Sequence, residues 1–299
     1  MLSIALDVGG TKIAAGLVDA VGRLRTRRSL PTRPERGGAA VLAECQGLVR
    51  ELAAEAGGAP IGVGVSLCEL VDPVGEVASG YTVDWRGLAP AQALGLRGRP
   101  ALLSADVRAN ALAEAQLGAG RPFESFILIS IGTGISSCWV QAGRVHAGAH
   151  GNALVLSTGA LTVPDAAGHL HPFVLETYAS GPALVERYRA ATGQALERAE
   201  AVLSRAEQGD AHAHEVVTSA ATVLGSAIAW LVNVLDPHAV VLAGGLGAAP
   251  GLYRDGLVPA IRAHIWADAS RDLPLLPAAL GPDGALIGAG LLGKGTGWQ

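Results

Sequence analysis

Three glycine-bearing turns carry the side chains with the most evident chemistry. The run Ile4-Ala5-Leu6-Asp7-Val8 ends in a carboxylate and passes into Gly9-Gly10-Thr11-Lys12. Two glycines let backbone N–H groups approach an anion closely, the Thr11 hydroxyl adds a donor, and Lys12 adds a point charge. That is the chemistry of a phosphate cradle, and Asp7 beside it suits a hard cation held directly or through water. A lone Gly-Gly turn is equally the tip of an ordinary β-hairpin. A second turn, Gly132-Thr133-Gly134, and a late Gly244-Gly245-Leu246-Gly247 shift the balance toward phosphate.

Strands and helices must hold these turns. Apolar patterning predicts strands over 2–7, 13–19 and 23–30, the last polar enough for a sheet edge. Val41, Leu42, Cys45, Leu48, Val49 and Leu52 recur at helical spacing and predict a helix over 38–56, stopped by Gly57-Gly58. A glycine-bearing strand over 61–66 and a strand over 101–106 that turns into a helix over 107–118 follow. The second half predicts strands over 126–131 and 135–140 around the Gly132–Gly134 turn, helices over 177–191, 195–208 and 211–235, a strand over 239–243 and a last helix over 285–292. This alternation predicts a mixed sheet covered by helices. Strand, glycine turn, strand occurs once in each half, which suggests an internal duplication.

The 299 residues are 50% hydrophobic, 4% aromatic and 16% charged, enough small aliphatic material for one large core or two ordinary ones. A formal charge of -4 leaves no basic footprint for nucleic acid. Cys45, Cys68 and Cys138 are scattered and odd in number, which reads as a reducing cytoplasm without a disulfide framework. A strand pattern begins at once, so no signal peptide is expected. The apolar run from Val217 to Leu235 approaches membrane length. Thr218, Ser219, Thr222, Ser226 and Asn233 interrupt it, so a buried helix is expected rather than a membrane span.

Taken in order, several motifs resemble the ROK family of repressors, open reading frames and sugar kinases. They are Asp7-x-Gly9-Gly10-Thr11-Lys12, Asp106 with Ala113-Glu114 after it, Gly132-Thr133-Gly134-Ile135, the stretch from Glu176 to Gly181, and Gly244-Gly245. The resemblance covers essentially the whole chain. It implies an α/β, two-lobed actin/hexokinase-like (ribonuclease H-like) ATPase fold with an interlobe cleft. The implied small lobe is 1–111 joined by the C-terminal helix 285–299, and the large lobe is 112–284. The implied activity is ATP-dependent phosphorylation of a primary hydroxyl on a sugar or sugar-like cyclitol, with Mg²⁺ accompanying the nucleotide. A cytoplasmic homodimer without nucleic-acid or membrane partners goes with it. The Gly9–Lys12 and Gly132–Gly134 turns would grip the ATP phosphates from opposite lobes, and Gly244, Gly245 and Leu246 would line the adenosine pocket. Asp106 would be the general base; taken alone, it reads as a helix N-cap. With no winged-helix segment before the first strand, the kinase branch is expected.

The departures from the family pattern are informative. Family kinases usually carry Asn before the catalytic Asp, where this chain has Ala105. They usually carry Gly-Glu-x-Gly-His after the second phosphate turn; here the aligned stretch is Leu154-Val155-Leu156-Ser157-Thr158, with Val155 and Thr158 in place of the sugar-binding Glu and His. A structural zinc usually joins that His to three cysteines. Val174 stands at the last of those positions, so no structural zinc is expected. His169 and His171, with His146 and His150 upstream, leave an improvised metal site open against a reading as ordinary surface histidines. Glu176 remains as a ligand for a substrate hydroxyl. Glu69, Asp84, Trp85, His150 and Asn152 are further substrate candidates: a ring to stack on, a carboxylate for paired hydroxyls, and polar contacts. Solvated carboxylates and core packing are the competing readings for Glu69, Asp84 and Trp85. Phosphate machinery kept and sugar contacts changed point to an acceptor lacking those hydroxyls, such as a C7-cyclitol of the valiolone type in secondary metabolism. A hexose kinase with a remodelled pocket and a silent ligand-binding regulator are the alternatives.

Overall fold

The computed structural model describes residues 1–57, 60–164 and 168–295. Gly58 of the expected helix stop and residues 296–299 of the expected C-terminal helix lie outside the described residues. The chain opens with β1 (Ser3–Val8), β2 (Lys12–Val18), β3 (Leu24–Pro31), α1 (Gly38–Glu55), β4 (Val63–Leu67), α2 (Pro90–Ala93), β5 (Leu102–Ala105) and α3 (Asp106–Leu117). There follow β6 (Ser125–Ile131), β7 (Ile135–Gln141), β8 (Arg144–Val145), β9 (Ala160–Pro164), β10 (Leu170–Val174), α4 (Glu176–Ala179), α5 (Gly181–Thr192), α6 (Ala199–Glu207) and α7 (Ala211–Leu235). The chain continues through β11 (Ala239–Ala243), α8 (Gly244–Ala248), α9 (Leu252–His264), α10 (Asp268–Arg271), β12 (Leu275–Pro277) and α11 (Gly284–Leu292). Two compact units result: Met1–Glu124 with Cys138–Ala153 and Ala279–Gln299, and Ser125–Ser137 with Leu154–Ala278.

In the first unit the sheet order is β3-β2-β1-β4-β5. The first three strands are antiparallel, while β1, β4 and β5 run parallel. Alternation along β1 decides the layers: Ile4, Leu6 and Val8 join the core shared with Val41, Cys45, Leu48 and Leu52 of α1, and Ala5 faces Leu286 and Ala289 of α11. That second layer is a close one. A Cβ on Gly64 would collide with the Ala289 carbonyl, and one on Gly288 with the Ala109 carbonyl. Small residues bring α11 down onto the strand backbone, as a long side chain could not. Buried Glu114 of α3 accepts N–H groups from Ala119 at 2.7 Å and Leu280 at 2.9 Å, tying the approach to α11 to α3. β3 alternates half-buried and exposed residues, as an edge strand does, and its arginines pair with Asp19, Glu55 and Asp283.

The second sheet takes the order β12-β11-β6-β7-β8. Read from β8, it repeats the first sheet: a third strand, a second, a first, then two parallel strands reached by crossovers. The duplication expected from the two glycine turns therefore extends to topology. In the second unit α7 packs on α5, α6 and α9. α7 is long and apolar enough to cross a membrane by length and composition, and 56% of its most apolar window is buried. A single helix over 177–191 was expected; Ser180 breaks it, adopting an extended conformation and capping α5 through its hydroxyl. Helix α9, the β9–β10 hairpin and the three-residue β12 had no counterpart in the expectations. Pro259 interrupts the pattern of α9, and β12 is too short to register as alternation.

Candidate active site

In the first unit, Asp7, Ser66 and Asp106 sit at the C-terminal ends of three adjacent parallel strands. Asp7 and Ser66 are register partners on β1 and β4, and Asp106 immediately follows β5. The carboxyl ends of parallel strands are where open α/β sheets bind ligands. The buried Ser66 hydroxyl donates to Asp7 Oδ1 at 2.7 Å. Burial raises the Asp7 pKa above the ordinary carboxylate value, opposed by this hydrogen bond and by Lys12. Asp106 is half-buried as the first residue of α3, and its Oδ1 accepts the Val107 N–H at 2.6 Å. The helix cap position itself belongs to Ala105. Burial, then the Asp7 carboxylate, then Glu69 push the Asp106 pKa up to about 6, with the Val107 N–H opposing. Such a carboxylate is ionised at neutral pH yet more basic than a solvated aspartate, as a general base should be.

The Gly9–Lys12 turn adjoins these carboxylates. Gly9 donates its N–H to the Lys12 carbonyl at 3.0 Å, Thr32 N donates to the Thr11 carbonyl at 3.1 Å, and the Thr32 hydroxyl to the Gly9 carbonyl at 2.6 Å. Thr11 and Lys12 remain exposed. Gly10 has no left-handed backbone here. Its reason is crowding: a Cβ would lie 2.9 Å from Thr82 Cγ2.

The expected substrate candidates of this unit fall into three settings. Glu69 is 3% exposed. Its Oε2 accepts the Tyr81 N–H at 2.9 Å and the Ser79 hydroxyl, and its Oε1 accepts Thr82 N–H at 2.6 Å and Val83 N–H at 2.9 Å. With both oxygens engaged by backbone and hydroxyl donors, it frames a loop instead of standing as a solvated carboxylate. Trp85 is 3% exposed and belongs to the core beneath that loop. Asp84 is exposed and forked to Arg86, at 2.7 Å on each oxygen, which holds its pKa down at about 2. His150 and Asn152 are exposed on a turn whose Gly151, at φ 78°, is pressed against Val71 and Asp72 so closely that a Cβ would collide with Val71.

In the second unit, Gly132 donates its N–H to the Gly134 carbonyl at 2.9 Å, and Gly181, first in α5, donates to the Gly132 carbonyl at 2.8 Å. Glu176 Oε2 accepts the Ile135 N–H at 2.8 Å and would lie 2.8 Å from a Cβ on Gly134. Thr133 is exposed at the tip. Glu176 thus braces the turn, whatever its other oxygen does. Gly244, Gly245 and Leu246 open the short helix α8 directly at the end of β11, where an open turn was expected. Gly244 has φ 78°, and a Cβ there would collide with the Ile131 carbonyl.

The sequence model described as the ROK family matches residues 3–296. The chain belongs to the ROK family. A bifunctional enzyme NanE/NanK from Brucella melitensis is 32% identical over 291 residues, 95% of this chain and 52% of that protein. The chain therefore spans about half the length of that relative. A ROK hexokinase from Thermus thermophilus matches with 31% identity and a TM-score of 0.81, over 98% of each chain. A ROK family glucokinase from Streptomyces griseus, solved in complex with glucose and AMPPNP, matches with 27% identity and a TM-score of 0.82, over 99% of this chain and 100% of that one.

Among the described residues no group of three or more His, Cys, Asp or Glu side chains is placed to hold a metal ion. Cys45 and Cys138 are buried in the first unit and Cys68 is half-buried beside Glu69. Val174 and Thr158 are exposed, and the side chain of His171 lies outside the described residues. Phe173 instead stacks on Tyr178 at 4.3 Å, and the Arg187 guanidinium covers the other ring at 3.7 Å. Sequence reasoning missed Ser66, Ser79 and Thr82. A serine in register with Asp7 at the end of a parallel strand was the available signal for Ser66; the other two emerge only once the loop is folded.

Proposed function

We propose that this chain is an ATP-dependent phosphotransferase whose acceptor is a hydroxyl of a sugar or sugar-like cyclitol. The observation that carries this reading is Asp106: a carboxylate at the C-terminal end of a parallel strand, beside Asp7 and the Gly9–Lys12 turn, with its pKa raised to about 6. Asp106 takes the proton of the acceptor hydroxyl as that oxygen attacks the γ-phosphorus, and the phosphoanhydride bond to ADP breaks in line. In the first unit the exposed Thr11 hydroxyl and Lys12 ammonium offer charge and donors to phosphate oxygens. In the second unit, taken by itself, the turn around Thr133 offers a hydroxyl and backbone N–H groups of the same kind. The names of the Thermus and Streptomyces relatives support ATP and a sugar as the reactants.

Mg²⁺ fits the oxygen donors present. Asp7 supplies a carboxylate fixed by Ser66, and one carboxylate with phosphate oxygens and waters is how Mg²⁺ is usually held. Bound there, the ion neutralises phosphate charge. Relative to the family pattern, Ala105 and Val155 each remove a polar group and Thr158 stands in place of a histidine, which supports an acceptor with fewer hydroxyls than a hexose, a C7-cyclitol included. We read the working protein as a homodimer. The test is ADP release measured over hexoses, N-acetylated amino sugars and cyclitols, with calorimetry in parallel. Turnover of glucose far above every cyclitol assigns a hexose kinase. Binding without ADP formation for every acceptor overturns the kinase reading.

A further inference from the structure

The loop that Glu69 holds has a use beyond framing. Its backbone is fixed at five points: Ala78 N donates to the Leu70 carbonyl at 2.7 Å, Leu70 N donates to the Ser79 hydroxyl at 2.8 Å, and Tyr81, Thr82 and Val83 donate to Glu69. Val83 and Trp85 anchor it in the core, at 0% and 3% exposure. Thr82 lies against Gly10 of the phosphate turn, and its hydroxyl reaches the Cys68 thiol. Glu69 and Cys68 both lie within electrostatic range of Asp106. The large side chain that this fastened loop leaves exposed is Tyr81, at 87%. A large ring on a hydrogen-bonded backbone, one residue from the Thr82 contact with the phosphate turn, loses little conformational entropy when it meets a ligand.

Resting on the kinase reading above, we propose that residues 79–83 form the acceptor-specificity strap of this protein. Tyr81 presents its ring to the C–H face of a cyclic polyol held at Asp106, and Glu69 is the positioning residue that fixes the strap. The chemistry suits an acceptor with one apolar ring face. Hydroxyls on that face would be desolvated against the ring without a partner, whereas C–H groups gain contact area. This also separates the framing residues from the reading residue: Glu69, Thr82 and Trp85 build the strap, and Tyr81 faces the ligand.

The test compares Tyr81→Ala and Tyr81→Phe with the parent on the best acceptor of the panel, varying acceptor and MgATP separately. Tyr81→Ala is expected to raise KM for the acceptor about five- to tenfold and leave KM for ATP within about twofold; Tyr81→Phe keeps both. Tyr81 is a surface side chain, so folding is not at risk. Glu69→Ala is expected to reproduce the acceptor defect and also raise KM for ATP, because Thr82 no longer rests on Gly10. Glu69→Gln keeps one carbonyl oxygen for the Thr82 and Val83 amides and recovers part of the acceptor affinity. An acceptor KM for Tyr81→Ala within about twofold of the parent, or equal rises for both substrates, overturns the strap. If the parent forms no ADP with any acceptor, the kinase reading fails separately. Calorimetry of the bound acceptor on parent and Tyr81→Ala then decides the strap alone, and equal affinities overturn it.

Discussion

Acid should silence this protein in a pH range where an ordinary aspartate would not respond. Asp106 carries a pKa pushed up to about 6 by burial, by Asp7 and by Glu69. A base with that value is ~10% ionised at pH 5 and ~90% ionised at pH 7, whereas an aspartate at its ordinary value would be ~90% ionised already at pH 5. The acid limb of log kcat/KM should therefore bend near pH 6 and fall with unit slope below it. The assay is ADP release at saturating MgATP between pH 4.5 and 8, in buffers of constant ionic strength. Asp106→Asn should lower kcat ~10²-fold or more and abolish the limb. The same substitution should raise the melting temperature at pH 7. The folded-state pKa lies above the unfolded one, so the fold disfavours the charged carboxylate; that cost is absent below about pH 4 and complete above about pH 6. Asn removes it while its amide oxygen still accepts the Val107 N–H. A limb near pH 4, or an Asp106→Asn variant with near-parental turnover, would refute the role assigned to Asp106.

Other substitutions test the surrounding structure. Glu176→Ala removes a charge-assisted bond to the Ile135 N–H and should lower kcat/KM for ATP ~10-fold or more, with Glu176→Gln milder because its carbonyl can still accept. An effect on the acceptor alone would mean that the brace on the Gly132–Gly134 turn is idle. Gly64→Ala drives a methyl group into the Ala289 carbonyl and should cost ~1–3 kcal/mol or more in urea unfolding; a neutral result would mean α11 does not press on β4. Arg187→Ala breaks the stack on Tyr178 together with bonds to Val216 and Ser219, and should lower the melting temperature. Zinc chelators should leave the parent's melting temperature unchanged; a fall on chelation would reveal a metal that the described donors do not explain.

Much of this molecule is readable along the chain because its chemistry lies where patterns are strongest. The hairpin β1–β2 announces itself by apolar runs around a double glycine, and α1 by six apolar residues on one face. Asp106 stands out at a strand-to-helix junction. Tertiary placement is harder to read. Glu69 and Asp84 look alike as loop carboxylates, yet one is buried under four donors and the other is exposed on Arg86; only the return of residues 79–83 over Glu69 separates them. Trp85 offers a ring to a ligand on paper and fills a core in the fold. Tyr81 drew no notice, because a tyrosine beside Gly80 in a polar loop has no periodicity to betray it. The break at Ser180 was likewise hidden, since the apolar spacing continues across it and the serine hydroxyl acts only through cap geometry.

The seating of α11 has a consequence for how the polypeptide is made. Ser3, on the first strand, donates its hydroxyl to the Gly290 carbonyl at 2.6 Å, and Ala5 packs on Leu286 and Ala289. One face of the opening sheet thus waits, on the ribosome, for residues such as Gly290, 287 positions further along the chain from Ser3. Until 284–292 emerge, that face exposes Ala5, Ala14 and Val18, a surface open to chaperones. The second unit, Ser125–Ser137 with Leu154–Ala278, by comparison needs nothing beyond β12. Nascent chains should therefore gain protease resistance in the later segment first, reversing the usual order in which the amino-terminal part matures before the rest.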